Sequence, residues 1–213
     1  GNCEPGEIGF HYLAGMTPDN VESAVGAATA AGDHALAAFA PDEAVRWYTA
    51  ALLALPPPHD DDRHARAMLN LGIAQRQAGL QEHRDILLSA ARMAQAARID
   101  DVLIGAALAV HRGGFASLGQ VDAERVALFE AALAIAEPAS VARVRLLAIK
   151  ACELTWEPDV QRRLDAVHAA MAAARALGEP AQTLFAITQT ITAQWIPDTS
   201  RERLALLTEA RDI

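Results

Sequence analysis

Pairs of alanines recur along this chain at a nearly constant distance, and that distance limits what it can fold into. They sit in "TAALLALP", "SAARMAQA", "EAALAIAE" and "AAARALGE". Taking Ala51, Ala91, Ala132 and Ala173 as equivalent gives spacings of 40, 41 and 41 residues. Each closes an apolar-periodic stretch and is followed by a breaker: Pro56-Pro57-Pro58, Ile99-Asp100-Asp101, Glu137-Pro138 or Gly178-Glu179-Pro180. A period near 40 holds two helices and two loops, and a regular period of that length marks a repeat architecture. The chain parses into about five helical hairpins. The first helices are expected near 18–38, 62–78, 100–112, 140–155 and 180–194. The second helices are expected near 41–55, 81–97, 121–136, 159–176 and 199–212. Residues 1–16 read as a linker or tail, and 17–213 as a single repeat domain.

Composition agrees with an all-α chain. More than a fifth of the 213 residues are Ala, the strongest helix former, and aromatic residues make up only 5%. No alternating Val/Ile/Thr runs are present to build strands.

A second phrase keeps the same beat. Trp156-x-Pro158-Asp159 returns as Trp195-x-Pro197-Asp198, 39 residues later. Both copies fall at the turn between the two helices of a hairpin. Pro disfavours helix in the residue before it. Asp159 and Asp198 then stand where an N-cap acceptor belongs, and Trp ends the preceding helix with apolar bulk. Two carboxylates for acid–base catalysis should converge on one cleft. These are assigned instead to the joints of successive repeats.

Small and large residues alternate in the first two repeats in a recognisable order. In "GDHALAAFAPDEAVRWYTAALLALP", Gly32, Ala44, Tyr48, Ala51 and Pro56 hold the small, small, aromatic, small and Pro positions of a tetratricopeptide repeat. In "MLNLGIAQRQAGLQEHRDILLSAARMA", Leu71, Gly72, Gly79, Leu88 and Ala91 do the same, with Arg84 where Ala is usual. The implied fold is a right-handed α-solenoid, tetratricopeptide-like. The phrase order "AVGAATAAGDHALAAFAPDEAVRWYTAALLALP", "LGIAQRQAG", "AAARALGEPA" and W-x-P-D-x-x-R-x-R-L resembles the helical-repeat region of large actinobacterial signal-transduction ATPases. Those proteins carry a P-loop ATPase module before the repeats. Many carry a LuxR-type helix-turn-helix after them, others a class III nucleotidyl cyclase domain in front. The resemblance implies a sensor or interaction arm that binds a partner protein, its own ATPase module or an effector. It implies no cofactor in this segment. The chain has no G-x-x-x-x-G-K-S/T and no G-x-G-x-x-G, so ATP is not expected to bind here by those motifs.

Charge and cysteine content narrow the setting. Lys150 is the single lysine, the other 17 basic residues are Arg, and the net charge is −9. An acidic chain is a poor match for nucleic acid or for an anionic membrane surface. No apolar run approaches the ~20 residues of a membrane span. Cys3 and Cys152 are isolated, which suits a reducing cytoplasm, with Cys152 a buried thiol. The chain starts without Met and stops within helical pattern at "LTEARDI", so it reads as a piece of a longer protein. The apolar end faces of a cut solenoid would let it form a homodimer.

Other clusters have plain readings. "PPPHDDDRH" offers His59, Asp60, Asp61, Asp62 and His64, ligand types for a metal, but it directly precedes a helix whose dipole favours acidic residues. His11, His34, His83, His111 and His168 show no ligand spacing, and no G-x-S-x-G elbow exists. "RGGFASLG", Arg112 to Gly119, is a Gly-rich turn between paired helices. Neither a metal site nor a catalytic residue is expected.

One polar stripe remains. Arg143, Lys150 and Glu153 share a helix face, and a 39-residue shift turns them into Gln182, Gln189 and Thr192. Arg66, Asn70, Arg76 and Gln77 continue the stripe in the second repeat. First helices line the concave groove of tetratricopeptide solenoids, so these ten residues are the candidate groove, for a partner or for a small polar inducer. A solvated helix face is the competing reading, and a free-standing repeat adaptor is the alternative to a signalling arm.

Overall fold

A computed structural model describes residues 5–17, 19–55, 61–111, 113 and 119–213. These residues are all-helical, with eleven α-helices and no strand among them. The chain divides into two compact units, Gly1–Val110 and His111–Ile213. Within the expected repeat domain over 17–213, packing contacts concentrate on either side of Val110.

The first unit holds α1 (Pro5–Ala14), α2 (Val21–Ala37), α3 (Pro41–Ala54), α4 (Asp61–Gln77), α5 (His83–Ala97) and α6 (Asp100–Ala109). Within the expected tail, Pro5–Ala14 form a helix that packs on α2. The cause is a pair of close approaches, since a Cβ on Gly9 would meet the Trp47 ring at 2.9 Å and Ala31 Cβ at 3.4 Å. Next in chain order, α2 pairs with α3, α3 with α4, α4 with α5, and α5 with α6.

The α2–α3 and α4–α5 pairs are close because a glycine on one helix faces a large side chain on the other. In α2 the buried positions are Ala24, Ala28, Ala31, Gly32 and Ala35, a helical stripe of small residues. A Cβ on Gly32 would lie 2.6 Å from Tyr48 Cε1. One on Gly72 would lie 2.6 Å from Leu87 Cδ2, so the large partner in the second repeat is Leu87, one residue before the expected Leu88. Leu88 is buried as well. Tyr48 donates its hydroxyl to Asp33 Oδ1 at 2.6 Å, and burial together with that carboxylate raises the phenol above its ordinary pKa. Pro56 lies outside the described residues.

The second unit holds α7 (Ala123–Ile135), α8 (Val141–Glu153), α9 (Val160–Leu177), α10 (Pro180–Thr190) and α11 (Ser200–Asp212). Short 3-10 segments follow α8 over Leu154–Trp156 and α10 over Ile191–Gln194, and another spans Pro197–Thr199. Its core joins Val144, Ala148, Val167, Met171, Ala186 and Ile187. Cys152 is a buried thiol, and burial pushes it up to about 11. Cys3 lies outside the described residues.

Breakers and caps set the helix ends. Asp122, Ser140 and Asp159 accept backbone N–H bonds at the starts of α7, α8 and α9. Pro41 and Pro180 open α3 and α10. Gly178 closes α9 in the left-handed conformation, with φ +73. The expectation for Asp198 fails. It sits inside the 3-10 segment, and the residue before α11 is Thr199, which makes no side-chain cap. Thr199 instead donates its hydroxyl back to the carbonyls of Gln194 and Ile196.

Candidate functional site

Two concave places hold three of the ten residues that the sequence singles out: Arg66 and Asn70 in one, Thr192 in the other. In the first unit a cleft of about 380 Å³ lies against α2 and α4, two of the first helices there. Its walls include Glu22, Thr29, Arg63, Arg66 and Asn70. Arg66 donates to both oxygens of Asp62, one turn back, at 3.0 Å. It also reaches across to α6, where it forks onto Asp101 at 2.5 and 3.2 Å. That guanidinium holds the Asp101 carboxyl below its ordinary value. Arg63 donates to Glu22 at 3.0 Å, joining α4 to α2. All these pairs are solvent-exposed, and such pairs exchange cheaply for other partners. Arg76 and Gln77 lie exposed at the far end of α4 and are not in this cleft.

The stripe of the second unit does not form one groove. Arg143 donates to the carbonyls of Leu133 and Ala136, at 3.0 and 3.2 Å, and so ties down the end of α7. Lys150 pairs with Glu130 at 2.8 Å. Glu153 is 5% exposed and receives Arg125, itself 1% exposed, at 2.8 Å. Asp122 completes that buried cluster by accepting from Arg125 Nε at 3.0 Å. Gln182 is buried and accepts from Arg145 at 3.0 Å. Gln189 Oε1 lies 2.7 Å from His111 Nε2, within hydrogen-bond distance. These side chains hold helices together, and a sequence stripe cannot distinguish that task from lining a groove.

Thr192 falls in the second concave place, where the two Trp-x-Pro turns meet. A cavity of about 340 Å³ is lined by Thr155, Trp156, Glu157, Arg163, Thr192 and Trp195. Thr155 Oγ1 and Thr192 Oγ1 are 3.4 Å apart, and Thr155 donates to the Cys152 carbonyl at 2.6 Å. The indoles do not serve as buried plugs: Trp156 is 37% and Trp195 62% exposed. Each turn is clamped by an Arg of the following helix. Arg163 donates to the Thr155 carbonyl at 3.0 Å. Arg203 donates to the carbonyls of Gln194 and Ile196 and to Thr199 Oγ1.

Glu22, Arg63, Thr155 and Arg163 line these places without belonging to the stripe expected from sequence. Arg163 had a signal, since it belongs to the recurring Trp-x-Pro-Asp phrase. Glu22 and Arg63 had none, because their meeting depends on which helices neighbour each other.

Among the described residues no group of three or more His, Cys, Asp or Glu is placed to hold a metal ion. Of "PPPHDDDRH", residues 56–60 lie outside the described residues, and Asp61 and Asp62 occupy the first turn of α4. Of "RGGFASLG", only Gly113 and Gly119 are described, both with positive φ. No described helix is long and apolar enough to cross a membrane. No family model, curated protein or solved structure matches this chain.

Proposed function

We propose that this chain is a non-catalytic regulatory arm of a multidomain signalling ATPase or transcriptional regulator, working in the cytoplasm by binding another protein surface. The full form of the fold in this reading is a right-handed tetratricopeptide-like solenoid of about five hairpins. The bound surface belongs to the parent's own ATPase module or to a partner protein. The observation that carries the reading is the α2–α4 cleft, where Arg63, Arg66 and Asn70 of α4 face Glu22 and Thr29 of α2. Arg63 pairs with Glu22 and Arg66 with Asp62, both exposed carboxylates, so an acidic segment of the partner can replace these two without a large desolvation cost. Binding across α2 and α4 acts on both repeats at once, and in a repeat array each interface contributes to the next. A ligand that prefers one arrangement of the pair biases the attached module toward it.

The test is co-expression of this chain with the parent's remaining modules as a separate polypeptide. The reading expects association, weakened about tenfold or more by the charge reversal Arg63→Glu with Arg66→Glu, since rim charges govern such encounters. Association that survives the reversal unchanged, with an intact helical spectrum, would remove the cleft from the account.

A further inference from the structure

The geometry points to a second site, in the unit His111–Ile213, that takes a small aromatic carboxylate between the two Trp-x-Pro turns. Turns 39 residues apart in sequence bring both indoles to one cavity of about 340 Å³. That volume lies in the range of small-molecule sites and has room for one or two fused rings. Two large rings left 37% and 62% exposed on the walls of a concavity are apolar surface that a flat ligand would cover.

The polar wall decides the ligand's charge. Glu157 is already committed, accepting Arg162 Nη1 at 2.7 Å and the Asp159 N–H at 3.3 Å. Arg163 is not. Its hydrogen bond is the one to the Thr155 carbonyl, no carboxylate among the described residues pairs with it, and its Nε is buried without an acceptor. Arg203, at the matching turn, places its Nη1 on three oxygens. A guanidinium on the cavity wall without a counter-ion favours an anionic ligand, and a carboxylate supplies that charge. The Thr192 hydroxyl, whose nearest partner is 3.4 Å away, adds a second polar contact on the cavity wall. An ammonium ligand would suit two indoles alone but meets an uncompensated cation here. The cavity therefore selects a ring that carries a negative charge.

The intact chain titrated by calorimetry with indole-3-acetate, indole and tryptamine tests this. Saturable one-to-one binding of indole-3-acetate is expected with Kd below about 1 mM, and the neutral and cationic rings at least about tenfold weaker. Trp195→Ala and Arg163→Gln should each weaken indole-3-acetate about tenfold or more, while Trp47→Phe leaves it unchanged. Arg163 also clamps its turn, so Trp195→Ala, at an exposed ring, is the variant that decides if Arg163→Gln unfolds. Tryptamine binding as tightly as indole-3-acetate, or no saturation by indole-3-acetate at several times about 1 mM, would overturn the proposal. So would full affinity in folded Trp195→Ala. The site does not rest on the α2–α4 cleft: Arg63→Glu with Arg66→Glu leaves the titration as it was, so the two readings fail separately.

Discussion

Phe39 shows what single residues carry in this chain. It stands after α2 with φ +58 and is 93% exposed, so it has a strained backbone and no packing to justify it. At the matching place after α4 the chain uses Gly79, with φ +75. Replacing Phe39 by Gly should stabilise the fold by about 1 kcal/mol, read as a rise in the urea midpoint, because Gly adopts the left-handed region without Cβ strain. The two copies of the turn phrase diverge at this scale. Asp159→Ala should cost about 1 kcal/mol by losing an N-cap, whereas Asp198→Ala should stay within about 0.5 kcal/mol, since Asp198 caps nothing. The sequence makes these aspartates look equivalent. The extra 3-10 segment, which shifts the clamping arginine from Arg163 to Arg203 (a step of 40 against 39 for the tryptophans), is what separates them. Cys152 gives a pH dependence. Its thiol is raised by burial from 9.0 to about 11, so the folded state holds the proton more tightly than the unfolded one. That contribution is complete below about pH 9 and is lost as the pH rises toward 11. A thiol reagent at pH 8 should accordingly react with Cys152 no faster than the fold opens, and rapid reaction in the folded state would contradict its burial.

At the scale of helices, glycine placement separates close packing from mere composition. Gly26 and Gly32 lie in the same helix, α2. A Cβ on Gly26 meets nothing within 4 Å, while one on Gly32 strikes the Tyr48 ring at 2.6 Å. Gly26→Ala should therefore raise stability by about 0.5–1 kcal/mol through helix propensity. Gly32→Ala should lower it by about 1–3 kcal/mol despite the same propensity gain, because α3 has to move away. Thermal unfolding of the two variants side by side checks both signs. The helices themselves were legible because their stops are written in residues: Pro41, Pro180, Gly178 and the capping Asp and Ser positions. The expected second helix at 159–176 is observed as Val160–Leu177, and the first helix at 180–194 as Pro180–Thr190 followed by a 3-10 turn. The polar stripe was less legible. Arg143 and Glu153 share a face of α8 with Lys150, and Gln182 a face of α10 with Gln189, yet the partners of Arg143, Glu153 and Gln182 are a helix end, a buried Arg and a neighbouring Arg. Periodicity reports the face a residue occupies, not the group opposite it.

For the molecule as a whole, a continuous repeat period gave no sign of two compact units, because the beat of alanines runs through the position where packing divides. The helix at Pro5–Ala14 was missed for a related reason: its two Gly and lack of a clear polar face hid a segment whose glycines admit Trp47. The net charge of −9 places the few cationic clefts in relief, and Arg63 and Arg66 in one unit and Arg163 in the other are where an acidic group would find a partner. The central claim is that this repeat segment regulates an ATPase module in the same protein. Reading the native gene through both ends of the segment tests it most directly. The account predicts one uninterrupted frame that encodes a G-x-x-x-x-G-K-S/T module upstream of Gly1. A frame that encodes no such module would contradict it and leave a repeat adaptor in its place.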